Sequence, residues 1–163
     1  MRLPILAAVL LAAWTLPAAA AWDFEADEDP LNDVKTGYIT QDGEAIALAF
    51  KCWESDPKET MIMVLTPLRY DAAANYKELV EVQVRADKGE VRTLKMKPTE
   101  ASGFLSLMTN VYHEPDVLPI LAEIGKAQKR IAIGMMDKVH TVSATGSAKA
   151  VKQLSAQCKL PSE

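Results

Sequence analysis

The chain has 163 residues, a formal net charge of −4, hydrophobic residues at 49%, two cysteines and two histidines. That acidic balance argues against nucleic acid, whose binding needs a concentrated basic footprint, and the length suits one domain with its own core. With both cysteines paired, two histidines are too few for a zinc site, so neither metal nor cofactor is expected.

Residues 1–21 read as a secretory signal. Arg2 is the positive start, 5–16 the apolar middle, and 17–21 a small-residue cleavage region. The apolar run is too short for a membrane anchor, so a periplasmic or secreted chain without a membrane span is expected. Loss of Arg2 with the signal would leave a net charge of −5.

The segment 22–33 is acidic with two aromatics. Like charges at this density predict an extended N-terminal arm, on which Trp22 and Phe24 are the apolar anchors. The remainder, 34–163, is read as a single β-rich domain. Residues 35–41 predict a strand, and Asp42-Gly43 a tight hairpin turn. The second arm, 45–53, places Ile46, Leu48, Phe50 and Cys52 at every second position, on one inward face. A turn at 55–58 follows. The strand at 59–66 carries Met61, Met63 and Leu65 on one face and Ile62 and Val64 on the other, which predicts a central strand covered on both sides.

In the connection 67–78, Asp71 before three alanines is placed to cap one helical turn. A second hairpin runs over 79–86 and 90–97 around Asp87-Lys88-Gly89, with Val80, Val82 and Val84 alternating against Glu81, Gln83 and Arg85. A strand at 104–111 precedes a helix opened by His113-Glu114-Pro115-Asp116, with Leu118, Leu121 and Ile124 as its buried stripe. A last hairpin joins 130–135 to 139–144. Ser147 is then placed to cap a C-terminal helix on which Val151, Leu154 and Cys158 share a face.

Cys52 faces inward on a central strand, and Cys158 lies on the apolar stripe of the last helix. In an exported chain the simplest reading is one disulfide, the alternative being two buried free thiols. The bond would close a loop of 106 positions, for which chain entropy gives about 4–5 kcal/mol at best. The fold class expected is α+β: mainly antiparallel strands in a sandwich or strongly curved sheet, with two helices, the C-terminal one disulfide-linked to a central strand.

Signals of catalysis are absent. There is no Gly-x-Ser-x-Gly turn, no phosphate-cradling glycine loop and no free thiol to activate. Met61 and Met63 on one face, and Met135-Met136 near His140, suit Cu(I) chemically, but filling a core is the ordinary use of methionine. Arg85, Lys88, Arg92, Lys95 and Lys97 concentrate base on one hairpin, with Lys95 and Lys97 on the face opposite Arg92. Set against the acidic arm, these bases are candidates, with Trp22 and Phe24, for contact with a partner or an anionic ligand. A hairpin merely kept soluble by its lysines is the alternative.

The run from Val139-His140-Thr141-Val142 through Gly146-Ser147 and Lys149-Ala150 to Leu154 and Cys158, with the cysteine strand Phe50-Lys51-Cys52-Trp53, resembles the invasion-associated locus B family. Small accessory proteins of type VI secretion are similar at the same places. The resemblance implies a small, β-rich, exported bacterial protein without catalytic residues. The functional expectation is a non-catalytic periplasmic protein acting by protein–protein contact in the cell envelope. The alternative is a periplasmic binder of a small or anionic ligand.

Overall fold

Alternating apolar and polar residues build most of the chain into strands. They are β1 (Asp23–Glu28), β2 (Lys35–Asp42), β3 (Ala47–Trp53), β4 (Met61–Arg69), β5 (Val80–Ala86), β6 (Arg92–Ala101), β7 (Phe104–Asn110), β8 (Arg130–Met135) and β9 (Lys138–Ser143). Two helices complete the order, α1 (Val117–Lys126) between β7 and β8, and α2 (Ser147–Gln157) after β9. The structure, a computed structural model, describes residues 21–71 and 78–161. The expected signal, up to residue 20, and the helical turn expected after Asp71 lie outside the described residues.

All nine strands join one antiparallel sheet in the order β1-β2-β3-β4-β7-β6-β5-β8-β9. It curls into a half-barrel rather than splitting into a sandwich. The inner face supplies Ile39, Leu48, Phe50, Ile62, Val64, Val82, Leu94, Met96, Leu107, Ile131 and Ile133, all fully buried. Into this trough pack α2, against β1 and β2, and α1, against β5 and α2. The α1 stripe is Val117, Ile120, Leu121 and Ile124, with Leu118 only partly buried. Cys52 and Cys158 form the disulfide, their Cα atoms 6.0 Å apart, and tie β3 to the end of α2.

The acidic segment after residue 21 is no detached arm. Backbone pairing of Asp23–Glu28 with β2 makes it an edge strand, and its carboxylates guard that edge against further pairing. Phe24 opposes Ile39 and packs on the core. Trp22 is buried, with its ring centroid 6.5 Å from that of Phe50. Its backbone N–H donates to Thr145 O (3.0 Å) and its indole Nε1 to Ser143 O (2.8 Å), so it bridges the two ends of the curled sheet.

Three local expectations are also corrected. No described helix or strand covers the outer face of β4, so Met61, Met63 and Leu65 are half-buried there while Ile62 and Val64 fill the core. The β2–β3 hairpin closes on Asp42 and Ala47 across a four-residue loop in which Gly43 N–H bonds Ile46 O (2.8 Å), so Gly43 needs no positive φ. Ser147 is the first helical residue of α2, not its cap; that place belongs to Gly146, whose φ of 82° suits a residue without Cβ. No helix among the described residues is long and apolar enough to cross a membrane.

Candidate functional site

β6 is the strand at which the sheet turns its corner. Residues from Arg92 to Met96 pair with β5, whereas Lys97 to Ala101 pair with β7. Pro98 falls just after the change of partner, a position compatible with its missing N–H. Before Lys97 the two strands β6 and β7 are unpaired, and the sheet opens between them. There Lys95 N–H, without a β7 acceptor, donates to Glu114 Oε1 at 3.0 Å.

This opening is the mouth of a cavity of about 610 Å³ on the outer face of the sheet. Met61, Met108 and Leu79 supply its apolar lining, and Lys95, Lys97, Asn110, His113 and Glu114 its polar groups. Register explains the company: Met108 lies opposite both Met63 and Lys97, and Met61 opposite Asn110. A turn after β7 delivers the remaining groups, since the N–H groups of His113 and Glu114 both donate to Asn110 O, at 3.1 and 2.8 Å. Leu79 is a large apolar side chain that stays 56% exposed just before β5.

The cavity is of a size that small-molecule sites have, and its composition, mainly apolar with a few polar groups, is theirs too. Neither Lys95 nor Lys97 forms an ion pair among the described residues. Glu81 is the cross-strand neighbour of Lys95 but does not pair with it. Two ammonium groups against the Glu114 carboxylate leave the cavity with about one net positive charge. Among the described residues no cluster of three or more His, Cys, Asp or Glu side chains could hold a metal.

Of the basic hairpin, only Lys95 and Lys97 come to the cavity. Arg92 points to the other face and is spent: Nη1 meets Asp116 Oδ1 and Nε meets Glu123 Oε1, each at 2.9 Å, and Nη2 meets Glu90 Oε2 at 3.3 Å. Glu123 chiefly, as hydrogen-bond acceptor, raises the guanidinium further above its ordinary value, and the charges of Glu123, Glu90 and Asp116 add to this. Arg85 Nε donates to Gly89 O (3.0 Å) within its own turn, and Lys88 is exposed at the tip. Of the aromatics named from sequence as contact residues, Trp22 is buried in the core and Phe24 is half-buried against it.

Sequence reasoning missed Met61, Met108, Leu79, Asn110 and His113 as members of a site. Met61 read as core because period-two alternation cannot tell a covered outer face from an open one. His113 and Glu114 read as a helix opening, although α1 begins only at Val117. No family model matches the chain, and no curated protein or solved structure matches it either.

Proposed function

We propose that the chain is an exported, non-catalytic envelope protein that holds a small amphiphilic anion in the cleft between β6 and β7. One observation carries this reading: two lysines that form no ion pair among the described residues share a cavity with Met61, Met108 and Leu79. An apolar tail would cover the thioethers, which adapt to many shapes, and a single anionic head would meet the ammonium groups. Glu114 makes a dianion a poorer match than a monoanion. Export is supported by the basic start, apolar middle and small-residue end of 1–21. The envelope setting is supported further by the likeness to the invasion-associated locus B ending, and the disulfide suits an oxidising compartment.

The test is a titration of the protein lacking 1–21 with dodecanoate, dodecyl phosphate, dodecyltrimethylammonium and inorganic phosphate, read by calorimetry and by methionine methyl NMR. The two anionic amphiphiles are expected to bind saturably, one per chain, with shifts at the Met61 and Met108 methyls. Lys95→Glu with Lys97→Glu should weaken them at least about tenfold. Equal binding of the cationic amphiphile, or no saturable binding of either anion, overturns the reading.

A further inference from the structure

The half-barrel is not closed. Between the β2–β3 loop and β9 lies a slot of about 850 Å³, lined by Gln41, Asp42, Glu44, Lys129, Arg130 and β9. It lies away from the β6–β7 cleft and shares no lining residue with it. From this slot we infer a second binding site, one for a small zwitterion carrying both an ammonium and a carboxylate.

The acceptor side rests on Gln41. Its side chain is completely buried, its Nε2 donates to Asp42 O (2.8 Å), and its Oε1 has no hydrogen-bond partner among the described residues. A buried carbonyl oxygen left unpaired is costly, and with no surface of its own open to the slot it meets a ligand's donor only when the side chain turns outward into the slot that Gln41 lines. Asp42 and Glu44 stand exposed on the same wall, so that donor is best cationic.

The donor side rests on β9, which among the described strands pairs only with β8. The turn between these strands is Met136-Asp137, with φ of 49° and 58°, the two-residue type that makes Met135 and Lys138 the closing hydrogen-bonded pair. Alternation then turns the N–H and C=O groups of Val139, Thr141 and Ser143 away from β8. The indole bond from Trp22 to Ser143 O shows that outward set directly. The N–H groups of Thr141 and Ser143 therefore face the slot, beside the cationic side chains of Lys129 and Arg130. Backbone donors next to two cations select a carboxylate.

Full closure by an added strand fits less well. A Cβ placed on Gly43 would lie 3.0 Å from Thr141 O, so the loop already abuts β9 there and leaves no lane for a continuous ladder. A free α-amino acid and a short peptide share the chemistry, and the probes separate them: alanine, trialanine, and trialanine acetylated and amidated at its ends. Each is titrated into the protein lacking 1–21, read by calorimetry and by amide NMR at Thr141 and Ser143.

A zwitterionic probe is expected to bind saturably with shifts at both amides, and the blocked peptide to bind at least tenfold more weakly. Binding by alanine would identify an amino-acid site, and binding by trialanine alone a peptide site. Gln41→Leu should abolish the shifts. Because that side chain is buried, Asp42→Asn with Glu44→Gln, on exposed positions, gives the independent check and should weaken binding at least tenfold. Failure of both zwitterions, equal binding of the blocked peptide, or indifference to the acidic-wall variant overturns the inference. None of these outcomes bears on the Lys95–Lys97 cleft.

Discussion

Arg92 and Lys95 stand three residues apart on β6 and do opposite work. Arg92 holds three carboxylates that lie on the β5–β6 turn and on α1, so it fastens the helix to the sheet. Arg92→Ala is expected to lower stability by about 1–2 kcal/mol, the partners being partly exposed, whereas Lys95→Ala should leave the urea midpoint unchanged. A different device holds the β5–β6 turn to the loop before β8. The Asp87 carboxylate accepts the N–H groups of Gln128, Lys129 and Arg130 at 2.7, 3.0 and 2.9 Å. The bonds from Gln128 and Arg130 chiefly, then Lys129, hold its pKa below the ordinary carboxylate value. A depressed folded-state pKa stabilises fully above the unfolded value, about 3.9, and that stability is lost as pH falls through the folded one. Asp87→Asn, which tolerates the same φ of 48°, should thus lower the melting temperature at pH 7. The gap from wild type should close as the solution is acidified from pH 5 downward. A gap that stays constant to pH 2 would show that the charge is not what matters.

At the scale of elements, the contact of α2 with β2 depends on a missing side chain. A Cβ at Gly37 would lie 2.9 Å from Leu154 Cδ1 and 3.3 Å from Cys52 Sγ. Both neighbours are fully buried and the cysteine is bonded to Cys158, so neither can step aside freely. Gly37→Ala should therefore cost about 1–3 kcal/mol by overpacking, read as a shifted urea midpoint at constant slope. The disulfide was legible in the sequence because both cysteines fall on apolar stripes whose periods are unambiguous. Most strands were legible for the same reason. What strand patterns do not carry is which strand neighbours which. β6 changes partner between Met96 and Lys97 with no break in its alternation, and the candidate cleft is a consequence of that change. The edge strand β1 was hidden differently, because its carboxylates dominate its composition while its backbone pairs regularly with β2.

The whole molecule is acidic, with a net charge of −4, yet its candidate cleft is locally basic. Which of the two governs an approaching anion is decided by distance. The five net charges left once 1–21 are removed, acting in water from a typical radius for this length, roughly 15 Å, repel a monoanion by about 1.4 kcal/mol. One ammonium at about 4 Å near a protein surface attracts it by about 4 kcal/mol before screening and desolvation take their share. The local attraction is larger, so added salt should weaken binding of dodecanoate rather than strengthen it. At about 0.1 M salt the Debye length is about 10 Å; the distant acids are then already muted, and further salt acts on the lysines alone. Salt also promotes burial of the tail, and that contribution is common to any variant with the same apolar lining. Lys95→Glu with Lys97→Glu supplies the comparison, since it leaves Met61, Met108 and Leu79 in place and reverses the local sign. Calorimetry from 0.05 to 1 M sodium chloride should give a falling affinity for the wild type and a flat or rising one for the variant. Parallel slopes would mean that the head group does not meet the lysines, and that the apolar lining alone holds the ligand.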